Sequence, residues 1–176
     1  MRRAITMAFP ALIMLLLLHP PEAMAGNAWR AWDPGLAEAG NMGRPVLVDV
    51  YTDWCGWCKR MDRDVYARRD VQDYLARKFI TVKLNAESND VVRHEGRTLT
   101  SRSLAARYGV NSYPTTIFLS PRGTHLGNVP GYIPPDRFLL LLRYIGDGHM
   151  ERGQSFEEFA RGGTSETRGG TRAGRR

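Results

Sequence analysis

The stretch VDVYTDWCGWCKRM, Val48 to Met61, holds both cysteines of the chain, Cys55 and Cys58, at the end of an apolar run. Sulfur pairs this close occur as redox couples, halves of metal sites, haem attachments and structural staples. The residues in front, Pro45 to Tyr51 (PVLVDVY), are nearly all apolar or β-branched, the pattern of a strand buried on both faces of a sheet. The residues behind lack strand alternation and carry good helix formers after Gly56, which predicts a helix beginning at Cys55. Such a helix sets its first thiol at the positive end of the helix dipole. Asp49 is the anomaly. A carboxylate in a central strand either pairs with something or carries a raised pKa, and such groups gather at functional sites.

The four readings of the sulfur pair separate on chemistry. A haem attachment needs histidine directly after the second cysteine, and position 59 is Lys. A structural zinc site needs four N or S ligands, whereas no second cysteine pair exists and His94, His125 and His149 are scattered through polar segments. Neither a metal nor a cofactor is therefore expected. A structural disulfide closing so small a ring stabilises by only about 2 kcal/mol, against about 4.7 for a loop of about 100 residues. Thiol–disulfide exchange needs an exposed, stabilised thiolate close to a resolving thiol. An exposed Cys55 at the helix start meets the first requirement, and Cys58, one turn inside, meets the second.

Outward from this segment, the first 25 residues read as an address. Arg2 and Arg3 give a positive start, Pro10 to Leu18 is a short apolar block, and Ala23-Met24-Ala25 is a small-x-small cleavage signal, so a secretory leader cut near Ala25 is expected. The apolar block is well short of the ~20 residues that span a bilayer. About 150 residues remain, enough for one domain with a core, read as 26–160. The net charge of +7 is concentrated at the end: Arg161 to Arg176 holds five arginines and one glutamate, in a Gly/Thr/Arg stretch too poor in apolar residues to fold. A disordered basic tail, 161–176, is expected there. Gly26 to Ala160 keeps only +2, which argues against a nucleic-acid partner.

Asp33 before Pro34 predicts a capped helix over Pro34 to Asn41, closed near Gly43. Asp70 is expected to cap VQDYLARKF, and Phe79 to Leu84 (FITVKL) is the next strand. Asn85 to Thr98 is polar and without period, hence a loop; Thr100 or Ser101 starts the helix SRSLAARY, which Gly109 ends. Thr115 to Leu119 and Leu126 to Val129 form a hairpin about Pro121-Arg122-Gly123, and Pro134-Pro135-Asp136 opens the helix RFLLLLRYIG. Phe156 to Ala160 adds one helical turn. Strands alternating with helices and ending in a hairpin imply an α/β fold, a mixed sheet covered on both faces.

These residues resemble the thioredoxins. VDVYTDWCGWCK is similar to the family's active-site segment, TVKLN and LAARYGVNSYPT follow in the family's order, and Tyr113-Pro114-Thr115 matches its cis-proline loop. The likeness runs from Val46 to Gly146 and implies the thioredoxin fold, a central mixed β-sheet flanked by helices. The closing segment VPGYIPPDRFLLLLRYIGDG with SFEEF is similar, more narrowly, to the exported thioredoxins of bacterial sulfur-oxidation clusters, the SoxW-like proteins. Carried over by position, the resemblance implies Cys55 as attacking thiolate and Cys58 as resolving thiol. Asp49 falls where a buried aspartate handles the Cys58 proton, and Lys83 where a lysine accompanies it. Without the resemblance, Lys83 in a strand reads as snorkelling to solvent. Trp54, Gly56, Trp57, Tyr113 and Pro114 would form the substrate surface. Trp57 stands where cytosolic thioredoxins have proline, so their reduction potential is not inherited.

The resemblance further implies a monomeric periplasmic thiol-disulfide oxidoreductase. It would reduce a disulfide-containing client protein and be recharged by a membrane thiol-disulfide electron carrier. A disulfide donor and a non-catalytic binding module are the alternatives. Disulfide oxidases of this fold usually carry a large helical insertion and isomerases a dimerisation domain, and the chain has room for neither.

Overall fold

The computed structural model describes residues 28–169; the expected leader and residues 170–176 lie outside the described residues. The main sheet has the order β2-β1-β5-β6. Strand β1 (Val46–Tyr51) runs parallel to β2 (Ile80–Asn85) and antiparallel to β5 (Thr115–Leu119), which pairs antiparallel with β6 (His125–Pro130). This is the mixed sheet expected from the alternation of elements.

The period of two along β1 builds two cores. Val46, Val48 and Val50 join Val82, Leu84, Ile117 and Leu119 against α1 (Trp32–Met42) and α4 (Ser101–Arg107). Leu47 and Phe118 face the other way, into Met61 of α2 (Gly56–Met61), Leu75 of α3 (Arg69–Lys78), and Phe138 and Leu142 of α5 (Pro135–Gly146). Each such side chain, fully buried, contributes about 1.5–3 kcal/mol. Asp49 and Lys83 have odd numbers in β1 and β2, so alternation assigns them to the second face, beneath α2. Helix α1 lies so close on β2 that a Cβ at Gly35 would stand 2.4 Å from Val82 Cγ2.

Several expectations are corrected. Asp33 does not cap its own helix: Ala31 occupies the N-cap without a side-chain bond, and the Asp33 carboxylate accepts the Arg93 backbone N–H at 2.8 Å. Asp70 lies inside the first turn of α3 behind an Arg68 N-cap and accepts from Val71 N at 2.9 Å. Within the expected loop, β3 (Val91–His94) pairs with β4 (Arg97–Thr100). Its two-residue turn has positive φ at Glu95 (50°) and Gly96 (73°), as a type I′ turn requires, and glutamate in place of the usual Asn or Asp hid it.

After α2 the chain makes a π-helical turn, Asp62–Tyr66. Helix α6 (Phe156–Gly169) runs past Ala160 into the stretch expected to be disordered. A capping box starts it, with Glu158 N donating to Ser155 Oγ at 3.3 Å and Ser155 N to Glu158 Oε2 at 3.1 Å, and Phe156 packs on Tyr144 at a ring separation of 5.4 Å.

Candidate active site

Strand β1 ends at Tyr51, and a tight turn, Cys55 N–H to Thr52 carbonyl at 3.2 Å, leads into α2. Cys55 is the N-cap, and its Sγ accepts the Cys58 backbone N–H at 3.0 Å. The two cysteines are joined as a disulfide with their Cα atoms 5.3 Å apart. A helix start that directs a backbone N–H at sulfur also favours the thiolate once the bond is reduced. The expected exposure of Cys55 is corrected: both cysteines are only 4% exposed. The small bonded side chains sink into the helix start, while the exposed surface of the segment belongs to Trp54 (65%) and Trp57 (54%).

The flanking aromatics are held in place. Trp54 Nε1 donates to Glu87 Oε2 at 3.0 Å, and its ring meets Tyr113 edge-on at 6.0 Å. Trp57 stacks at a tilt on Tyr132, 5.6 Å away, and the Arg60 guanidinium lies 5.1 Å from the Trp57 ring and 5.5 Å from that of Tyr132. Gly56 is exposed, with open space where a Cβ would be. The Tyr113–Pro114 peptide is cis, as the resemblance implied, and the Pro114 carbonyl accepts from Gly131 N at 2.7 Å. Because Thr115 pairs with Val50, the cis-proline loop and the cysteine loop leave the same end of neighbouring strands.

Beneath α2, Asp49 is 1% exposed. Its Oδ2 accepts from Lys83 Nζ at 2.5 Å, while Oδ1 has no hydrogen-bond partner among the described residues. Burial pushes the Asp49 pKa up, and the Lys83 charge only partly opposes it. Lys83 also donates to Asp62 Oδ1 at 2.6 Å, and its ammonium lies 4.7 Å from the Trp29 ring and 5.2 Å from that of Tyr51. Burial pulls the Lys83 pKa down, but Asp49 and Asp62 more than offset it, leaving the ammonium firmly charged. The Tyr66 hydroxyl is pushed well above its ordinary value, first by burial and then by Asp49. With the Tyr66 ring 5.5 Å from its ammonium as well, Lys83 is thus tied down between two carboxylates and three rings rather than reaching freely to solvent. No direct bond joins Asp49 to Cys58.

Sequence reasoning missed Asp62, Glu87, Arg60 and Tyr132. Asp62 was readable: it follows Cys58 by one helical turn, and its N–H bonds the Cys58 carbonyl. The other three depend on long-range placement or on ring stacking that no local pattern announces. Among the described residues no three His, Cys, Asp or Glu side chains stand together as a metal set.

A bonded C-x-x-C pair at a helix start, opposite a cis-proline loop on a mixed sheet, defines a thiol-disulfide oxidoreductase of thioredoxin fold. The family model described as a thioredoxin-like domain matches residues 32–146, and the chain belongs to that family. It is similar to the thiol:disulfide interchange protein DsbD 1 of Pseudomonas aeruginosa, 36% identical over 92 residues, 52% of this chain and 14% of that protein. It is also similar to the chloroplastic thioredoxin-like protein HCF164 of Oryza sativa subsp. japonica, 31% identical over 102 residues, 58% of this chain and 34% of that one. The chain thus spans a seventh to a third of the length of these relatives. Among solved structures, a thioredoxin from Thermus thermophilus superposes with a TM-score of 0.56 at 27% identity, covering 71% of this chain and 96% of its own. These relatives support the superfamily; the narrower likeness to sulfur-oxidation thioredoxins gains nothing from them.

Proposed function

We propose that the protein reduces disulfides of client proteins in the periplasm, acting as a monomer after loss of its leader. The Cys55 thiolate attacks one sulfur of the client disulfide, forming a mixed disulfide and expelling the other sulfur as a thiolate that takes up a proton. Cys58, giving its proton to Asp49, then attacks Cys55 Sγ. The client leaves with both sulfurs reduced, and the enzyme, having lost two electrons, holds the Cys55–Cys58 disulfide. A membrane thiol-disulfide electron carrier returns the two electrons. Trp54, Gly56, Trp57, Tyr113 and Pro114 form the surface that receives the client.

Asp49 carries this reading. A purely structural disulfide has no use for a buried carboxylate of raised pKa under the helix that bears the resolving cysteine. The direction is supported by the segment between β2 and β5, which holds the β3–β4 hairpin and the seven-residue α4 rather than a large helical insertion.

Two measurements test the proposal. Equilibration of the couple with glutathione should give a potential near about −270 mV, and a value near about −120 mV makes the protein a disulfide donor instead. In insulin reduction, Cys58→Ser should accumulate a mixed disulfide on Cys55; trapping on neither sulfur overturns the assignment of roles.

A further inference from the structure

Next to the redox pair lies an apolar cleft of about 420 Å³ that the exchange chemistry does not use. Its walls are Val129, Pro130, Tyr132, Ile133, Leu141 and Phe156. Tyr132 is shared with the active site, since the same ring stacks on Trp57 between the cysteines. The far wall is different in origin. Phe156 belongs to α6, which begins ten residues beyond the end of the matched family span at 146. The cleft is therefore made by adding α6 to the thioredoxin-like domain.

The charge that lines the cleft itself is cationic. Arg137 lines the cleft, is exposed, and makes no ion pair among the described residues. Its neighbour Asp136 is already engaged by Arg68 at 2.9 Å. Arg60, which lies over Trp57 and Tyr132, is itself paired with Asp64 at 3.2 Å, so Arg137 is the cation left to meet a client carboxylate.

Exchange at Cys55 brings a client polypeptide against Trp57, and a chain continuing past Tyr132 enters this cleft. We infer that the cleft seats a large apolar side chain of the client, a few residues from its reactive cysteine, while a neighbouring client carboxylate pairs with Arg137. The inference rests on the proposed reductase reading and names the clients it selects: extended acidic segments bearing Leu, Met or an aromatic residue beside the disulfide. An apolar pocket rimmed by an unpaired cation recognises that combination and rejects a polar or basic segment, which would leave Arg137 facing a like charge and the pocket unfilled.

The test uses the reduced full chain and peptides whose single cysteine is bonded to a coloured aryl thiol. Attack releases the aryl thiol, and Cys58 then frees the reduced peptide. In single turnover of the reduced chain in excess, a peptide with Leu and Glu beside its cysteine should exceed an Ala/Ser peptide about tenfold in second-order rate constant, chiefly through a lower half-saturating concentration. It should exceed a Leu/Lys peptide as well, and Arg137→Glu, at an exposed position, should reverse the Glu-over-Lys preference. Equal single-turnover rates for all peptides overturn the docking, whether the cleft stays empty, is filled by the chain's own end or is closed by a second copy. A preference that Arg137→Glu leaves unchanged overturns it too. Failure to reduce even the symmetrical aryl disulfide, which carries no peptide, instead counts against the reductase reading itself.

Discussion

Replacing Asp49 by asparagine isolates the energetic cost of keeping a charge under α2. The carboxyl is 1% exposed and its pKa is raised by burial despite Lys83 at 2.5 Å. A folded-state carboxyl with a raised pKa retains a proton that the unfolded chain has already released. Stability is therefore highest below the ordinary carboxylate range and declines as pH rises through the folded-state pKa, with a limiting slope of about 1.4 kcal/mol per pH unit for one proton. Carboxylates such as Asp70 and Asp147, whose pKa values are lowered, tilt the curve the other way, but they do so equally in both proteins. The difference between wild type and Asp49→Asn thus reports Asp49 and the two groups it shifts, Lys83 and Tyr66, both of which it raises and so holds in their protonated forms. Lys83 is not stranded by the substitution, because Asp62 holds it at 2.6 Å. Denaturant unfolding of the disulfide form, from about pH 4 to about pH 8, should show wild type losing ground to the variant at up to that slope and then levelling off. A difference that is flat, or that grows in favour of wild type with pH, means that Lys83 outweighs burial and the Asp49 pKa is not raised. The reasoning about its proton then fails with it.

Other perturbations probe the rest of the framework. Lys83→Met leaves Asp49 buried without its partner and should cost about 3–5 kcal/mol in denaturant unfolding at neutral pH; in an Asp49→Asn background the cost should shrink by at least about 1 kcal/mol, and additive costs refute the pairing. Gly35→Ala drives a methyl into Val82 and should lower stability by about 1–3 kcal/mol, read as a fall in Tm by calorimetry. Ser155→Ala removes the capping box of α6 and should cost about 0.5–2 kcal/mol, with a loss of helical ellipticity that Ser155→Asp does not show. Reducing the Cys55–Cys58 bond should lower stability by about 2 kcal/mol or less, since the ring is small, and a much larger loss contradicts a redox rather than structural role.

What the sequence made legible was local. The apolar run of β1 and the helix start at Cys55 each announce themselves within a few residues, the cis-proline loop comes from the family resemblance, and Asp49 stands out against its own strand. What stayed hidden depends on distant partners or unusual turn residues. The Asp33 carboxylate finds Arg93, sixty residues on, instead of its own helix; Glu95 in a positive-φ turn masks the β3–β4 hairpin; and Cys55 is 4% exposed, which no local pattern announces. Lys83 lies between the two cases.

Its strand was readable and its position odd, but which carboxylate it meets is a property of register. Asp49 and Lys83 are directly opposite in the parallel β1–β2 pair, flanked by Val48 against Val82 and Val50 against Leu84. A slip of β2 by one residue would turn Val82 and Leu84 out of the first core and carry Lys83 to the opposite face, away from Asp49. The side chains that fix this register are buried valines and leucines, each contributing about 1.5–3 kcal/mol, whereas the ion pair must first repay the cost of taking two charges out of water. The apolar pattern therefore sets the lysine against the aspartate, and the electrostatics of the site follow from packing rather than direct it.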